Sequence, residues 1–273
     1  AATELSRTAA AAAAATAPEG FGLSRRVVDL TSGALGAATG DLDGDGRPEV
    51  LTGGTDGSRA WREDGSLLWH DAGTAPCRVL AVADLDGDGR PEVVSGDDQG
   101  GVRCLDAAGQ RRWEFTCKPT RSGTTAVDWI RIADLDQDGA QEVLVGAAWV
   151  HCLQGDGALR WERSLCVWRG SDAGNTTHGA VADVDGDGAL EAVALFAFSY
   201  PKALVLDSAG RIVVPADYDN DRRQGVNIDL PLALAVTDLQ GRGGPLHWLV
   251  GGPNHLHAYW AGGPHAGASA GRV

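Results

Sequence analysis

A nine-residue acidic loop, repeated four times, limits what this chain can fold into more than any other feature. Its first copy is Asp41-Leu42-Asp43-Gly44-Asp45-Gly46-Arg47-Pro48-Glu49, and it returns from Asp84 to Glu92, Asp134 to Glu142 and Asp183 to Glu191. Every copy has carboxylates at positions 1, 3, 5 and 9 and glycine at position 6. Carboxylates two residues apart on a tight turn converge on one point and repel each other unless a hard cation sits between them, and oxygen-only ligation favours calcium. The glycine allows the chain to reverse, so that the position 7 carbonyl and the position 9 carboxylate close the shell. An EF-hand is excluded. It needs a bidentate Glu at position 12, where this chain has Thr52, Ser95, Val145 and Ala194.

The flanks of the loops are short, apolar and rich in β-branched residues, as in Val79-Leu80-Ala81-Val82-Ala83 before the second copy. Such runs on either side of a turn predict a strand–loop–strand hairpin. The loops begin at Asp41, Asp84, Asp134 and Asp183, and a degenerate fifth copy begins at Asp238, giving steps of 43, 50, 49 and 55 residues. Periods of this size signal a propeller or a solenoid. The second period is the clearest. It predicts strand A at Val79–Ala83, strand B at Glu92–Ser95, strand C at Gly101–Leu105 and strand D at Arg111–Phe115. Four short strands per period make one propeller blade. Strand D carries Trp at one register in three copies, Trp69, Trp113 and Trp161, with Val214 in the fourth. A tryptophan recurring on outer strands reads first as packing between blades.

The Asp-x-Asp-x-Asp-Gly-x-x-Glu loop followed by an apolar strand resembles the FG-GAP or VCBS repeats, the integrin-type calcium-loop β-propellers. The resemblance covers roughly residues 33 to 261. It implies an all-β propeller of about five four-stranded blades with calcium in the A–B loops. The implied ligands are Asp41, Asp43, Asp45, Arg47 and Glu49; Asp84, Asp86, Asp88, Arg90 and Glu92; Asp134, Asp136, Asp138, Ala140 and Glu142; and Asp183, Asp185, Asp187, Ala189 and Glu191, with position 7 using its carbonyl. The fifth copy has Gln240, Arg242 and Leu246 at the later ligand positions and is expected to be metal-free, so about four ions are expected.

Residues 1–20 read as an Ala-rich linker or short helix, 21–263 as the propeller with repeats starting near 33, 77, 127, 176 and 231, and 264–273 as a tail. Strand D of the fifth repeat is missing after Trp260, and Val27–Leu30 is a candidate to replace it and close the ring. Net charge is −14, and four divalent ions would add eight positive charges and bring it to −6. The acidity is therefore largely metal-site chemistry. With no basic stripe to neutralise phosphates, nucleic acid is not an expected partner. No apolar run is long enough to span a bilayer. The chain begins at Ala1 and contains no Met, which reads as a processed piece, and calcium sites of this kind suit a secreted or cell-surface protein. Of five cysteines, Cys104 and Cys152 share a strand C register and read as buried thiols, while two of Cys77, Cys117 and Cys166 are candidates for a disulfide.

Aligned strands A point to a ligand site. Small residues dominate them, but Trp129, Arg131 and His178 break the pattern on neighbouring blades, with Trp168 and Arg169 on the D–A loop above. These residues either bind a ligand or plug a central channel. The leading functional expectation is a binding module for a glycan or an extracellular protein surface. The alternatives are a uronide-cleaving polysaccharide lyase, with His178 and Arg131 as base and carboxylate partner, and a self-associating structural unit of a filament or adhesin.

Overall fold

The computed structural model describes residues 33–260, apart from 121–122, 124–125, 165, 169–170, 173–175, 197–201, 214–225, 228–232, 238–246 and 253–255. The described chain contains strands and turns and no helix. The first sheet joins β1 (Ala34–Gly40), β2 (Glu49–Gly54), β3 (Gly57–Trp61) and β4 (Leu67–Ala72) in sequence order. The second joins β5 (Cys77–Ala83), β6 (Glu92–Asp97), β7 (Gly101–Leu105) and β8 (Arg111–Thr116). The third joins β9 (Trp129–Ala133), β10 (Glu142–Gly146), β11 (Val150–Leu153) and β12 (Leu159–Arg163). A two-stranded ribbon follows, β13 (Cys166–Trp168) with β14 (Ser171–Asp172). The fourth sheet is β15 (Thr176–Ala182), β16 (Glu191–Phe196), β17 (Lys202–Leu206) and β18 (Val226–Asn227), and the last is β19 (Ala233–Thr237), β20 (His247–Gly251) and β21 (Leu256–Trp260). All neighbours are antiparallel, and β1, β5, β9, β15 and β19 pack successively side by side, as the inner strands of propeller blades do.

The B strands read as continuous apolar runs because both of their faces are covered. In β6, Val93 enters the core shared with the first sheet, beside Leu42, Leu51, Ala60 and Trp69, while Val94 enters the core shared with the third. In β10, Val143 faces back to the second sheet, and Leu144 faces forward to Ala192, Ala194 and Phe196. Each such side chain taken fully out of water contributes about 1.5–3 kcal/mol. On β2 the matching residue, Val50, is 43% exposed, because it lies on the side of the first sheet turned away from the second.

Strand D tryptophans fasten each sheet to the next. Trp69 Nε1 donates to the Ala107 carbonyl at 3.1 Å, Trp113 Nε1 to Gly155 at 2.8 Å and Trp161 Nε1 to Ser208 at 2.9 Å. In every case the acceptor lies at the C–D turn of the following repeat. The turn glycine, Gly109, Gly157 or Gly210, lies flat on the indole, where a Cβ would come within 2.6 Å of the ring. The packing reading of these tryptophans therefore holds, with a hydrogen bond added.

Two segments depart from the sequence expectation. The ribbon β13–β14 falls in Ser164–Thr177, which reads as a plain D–A loop; its Cys-Val-Trp run has strand propensity but is too short to announce itself. On the outer side of the fourth sheet, Ile212 makes a single bridge to Leu206, and the far end of β17 is paired by Val226 and Asn227, beyond the expected strand D register. Cys77 and Cys117 are free thiols, so they do not form the expected disulfide. They are buried like Cys104 and Cys152, and burial pushes all four up to about 12. The degenerate fifth loop, the side chain of Cys166, and Val27–Leu30 lie outside the described residues.

Candidate functional site

Each acidic loop is held from below by its second residue and from behind by its ninth. Leu42, Leu85, Leu135 and Val184 are buried in the seams between sheets, and Glu49, Glu92, Glu142 and Glu191 are 2–3% exposed. The backbone N–H of the second residue donates to Oε2 of the ninth at 2.8, 2.8, 2.9 and 2.9 Å. The first aspartate takes two further backbone donors. Asp41 accepts from Gly44 and Gly46, both at 2.9 Å, and Asp84 and Asp183 accept from the matching glycines. The fifth-position aspartates, Asp45, Asp88, Asp138 and Asp187, accept the N–H of Arg47, Arg90, Ala140 and Ala189 at 2.7–2.8 Å. Glycine at position 4 has positive φ, between 75° and 81°, in three copies. In the third copy Gln137 adopts it at 60°, and its amide Nε2 donates to the Gly188 carbonyl of the fourth loop.

Carboxylate oxygens within 4.8 Å of one another come from Asp84, Asp86 and Glu92, from Asp134, Asp136 and Glu142, from Asp183, Asp185 and Glu191, and in the first loop from Asp41, Asp43 and Asp45. Positions 1, 3 and 9 thus meet in three loops, where position 5 stays outside that set. In the first loop position 5 meets positions 1 and 3, and Glu49 stays outside. An all-oxygen cluster of three carboxylates fits a hard divalent cation. Burial, followed by the charges of Asp185, Asp187 and Asp183, pushes Glu191 up to about 7 against the pull of the Val184 N–H. Glu142 is raised as well, chiefly by burial. A cation in the loop would hold both of them ionised at neutral pH.

The second and third loops hold a further group that sequence reading missed. Arg112 of β8 donates from Nη1 to Glu92 Oε1 at 2.6 Å and from Nη2 to Asp86 Oδ2 at 2.7 Å. Arg160 of β12 bridges Glu142 and Asp136 in the same way. The hydrogen bonds from these arginines hold Asp86 and Asp136 below the usual carboxylate range. The signal in the sequence is an Arg directly before the strand D Trp, present in two copies and absent from the others.

The residues expected to bind a ligand differ in how far they reach solvent. Trp129 is 3% exposed, and its indole lies over the backbone of Gly146 on its own sheet and of Gly179 on the next. It is a packing wedge with no surface to offer. Arg131 is exposed on β9, and Nη1 donates to the Ile130 carbonyl at 2.7 Å. His178 is half-buried on β15, Trp168 lies in β13, and Arg169 lies outside the described residues. A recess of about 500 Å³ lies elsewhere on the same two repeats, lined by Trp149, Glu162, Arg163, Ser164, Arg211 and Ile212. Lys118 contacts two of these residues, with Nζ 4.1 Å from the Trp149 ring centroid and 2.7 Å from Glu162 Oε1. Between the first and second sheets the matching positions carry Asp71 and Arg111, joined at 2.8 Å. Between the third and fourth they are Arg163 and Ile212, so the Arg163 guanidinium finds a backbone carbonyl, that of Gly210. The sequence signal was available in two places: Trp149 in a B–C turn that is otherwise small or polar, and Arg163 where Asp71 and Phe115 stand in earlier copies.

Residues 84–145 match the model of the FG-GAP-like repeat family. No curated protein matches the chain in sequence. Among solved structures the chain is similar to BBS1N from its complex with ARL6DN, at 14% identity and a TM-score of 0.60 over 90% of this chain and 70% of that one. It is also similar to the exotype rhamnogalacturonan lyase YesX, at 20% identity and a TM-score of 0.58 over 90% of this chain and 53% of that one. The Dos1 propeller matches at 10% identity and a TM-score of 0.55 over 82% and 55%. The chain spans about half the length of the last two. At these identities the likeness establishes the β-propeller fold and nothing about ligands.

Proposed function

We propose that this chain is a secreted, calcium-stabilised β-propeller module that binds a glycan or a protein surface through its third and fourth repeats. The observation that carries the binding reading is the recess of about 500 Å³ lined by Trp149, Glu162, Arg163, Ser164, Arg211 and Ile212. An aromatic face beside arginine, serine and carboxylate groups suits a hydroxyl-rich ligand, because sugar rings stack on indole while polar groups read the hydroxyls. Glu162 and Arg163 stand on β12, while Trp149 lies in the turn before β11 and Arg211 and Ile212 follow the turn after β17.

The ions would be held by the aspartates at positions 1, 3 and 5 and the glutamates at position 9. Their chemistry would be structural: neutralising clustered carboxylates and fixing the A–B turns. The test is a glycan array probed with and without calcium, followed by Arg163→Ala against the best binder. Retention that needs calcium and is lost in Arg163→Ala, with the melting temperature unchanged, supports the reading. An array with no binder, or retention indifferent to Arg163, would refute the recess as the site. Calcium content is measured separately, and fewer than two ions per chain in saturated protein would remove the metal from the proposal.

A second reading is uronide cleavage by β-elimination, which needs a base near the sugar C5 proton. It is favoured by Asp128, beside β9, which burial pushes up to about 6 against the nearby charge of Arg78. That value suits a base at neutral pH, and YesX shares the fold. New ultraviolet absorbance from unsaturated products, abolished in Asp128→Asn, would replace the binding reading with this one.

A further inference from the structure

The four acidic loops are chemically two pairs. In the second and third, a guanidinium from strand D of the same sheet spans the carboxylates at positions 3 and 9. Arg112 does so at 2.6 and 2.7 Å, and Arg160 meets Glu142 at 3.2 Å and also bonds Asp136. The corresponding strand D residues of the first and fourth repeats are Leu68 and Val213, which bring no charge. Arg47 in the first loop pairs with Glu63 at 3.4 Å, and among the described residues no arginine or lysine is paired with the carboxylates of the first or fourth loop. The glutamate at position 9 is as buried in one pair as in the other, 2–3% exposed throughout, so solvent does not make the difference.

We propose that Arg112 and Arg160 are built-in counter-ions that set a hierarchy of calcium binding: tight at the first and fourth loops, weak at the second and third. The inference rests on the calcium reading above and concerns which residues grade it. The physical cause is Coulombic. A guanidinium already bonded to two of the carboxylates must be displaced or tolerated by an incoming dication at a distance of a few ångströms, which at a near-surface effective dielectric costs about tenfold in affinity or more. The same arginines make the second and third loops partly self-neutralised without metal. Calcium is therefore needed at the ends of the described array and is dispensable in its middle.

The test uses calcium alone as probe and the full chain. A calorimetric titration of wild-type protein should resolve two tight and two weak sites, separated by about tenfold or more. Arg112→Leu with Arg160→Leu, which copies the first repeat, should draw the weak sites toward the tight class. Asp43→Asn with Asp185→Asn should remove the tight class. The counter-ion role has a metal-free readout: in chelator the Arg112→Leu and Arg160→Leu protein should melt below wild type, and in saturating calcium the gap should close. Arg112→Lys with Arg160→Lys, which keeps the charge but cannot bridge two carboxylates, should fall between. Four equivalent sites in the wild type, or an isotherm unmoved by the leucine pair, would overturn the hierarchy while leaving calcium binding intact. Absence of any calcium binding would overturn both.

Discussion

At the residue scale, the most informative side chains are those whose neighbours lost something to accommodate them. Trp129 fits because Gly146 and Gly179 lack side chains where its ring lies. Trp129→Ala should therefore cost about 3–5 kcal/mol of stability, the usual loss for a large core truncation, and chemical denaturation will measure it. Gly179→Ala should be destabilising for the opposite reason, overpacking, because its new methyl meets the same indole. Unchanged stability in both variants would mean that the ring is free to move. His151 is fully buried on β11, accepting the N–H of Lys118 at Nε2 at 3.2 Å. Burial, only partly offset by Glu162, lowers it from 6.5 to about 4. A histidine depressed in the folded state binds fewer protons there than in the unfolded chain. Its contribution is complete above about pH 6.5 and is lost as pH falls toward 4. The stability of wild type relative to His151→Gln should therefore fall between pH 7 and pH 5 in paired thermal melts.

At the scale of elements, each strand D is both the outer edge of its own sheet and the clasp on the next. The Trp113 indole donates to Gly155 and covers Gly157, so the second and third sheets are joined by a hydrogen bond and by ring packing at one point. Trp113→Phe keeps much of the packing and loses the donor, leaving the half-buried Gly155 carbonyl short of one partner. A loss of about 1–2 kcal/mol is expected. Trp113→Ala should lose about 3–5 kcal/mol. Equal losses in the two variants would show that the hydrogen bond carries the clasp. The acidic loops act as elements in the same sense. Their second residue plugs a seam and their ninth is bound to that residue's N–H, so an ion held in the loop would be coupled directly to packing between sheets.

At the scale of the whole molecule, clustered negative charge sets how the protein responds to its solvent. The chain carries −14, and sixteen of its carboxylates stand in the four loops. Chelation should lower the melting temperature, and raising ionic strength in chelator should recover part of the loss by screening the clustered carboxylates. Scanning calorimetry in both conditions checks this, and a melting temperature indifferent to chelator would remove the structural role of the ion. Against that acidic background the recess between the third and fourth sheets gathers Arg163 and Arg211 beside Glu162 in its lining, with Glu162 paired to Lys118 and Arg211 to Asp207, each at 2.7 Å.

By itself the sequence determined the repeat, the four-stranded sheets and their antiparallel order, because a period of acidic turn, apolar strand and glycine turn admits one local pairing. The second repeat shows how closely: strand C spans Gly101–Leu105 as its residues predict, and strands A, B and D differ from expectation by one or two residues at an end. It also brought the carboxylates at positions 1 and 3 together in every loop, since residues this close need no tertiary partner to meet, while whether position 5 or position 9 joins them differs between the first loop and the others. What only the tertiary structure decided is everything that crosses a seam. Trp129 stands out in an alignment of small residues, but whether it meets ligand or core depends on glycines 17 and 50 residues further along the chain. Arg112 lies 20 residues beyond the glutamate it bridges, and Arg163 is distinctive only beside Asp71, its counterpart two repeats earlier. Local turns are fixed by short-range backbone geometry, which sequence states directly. Side chains that meet across sheets are fixed by packing, which sequence states only through the whole fold.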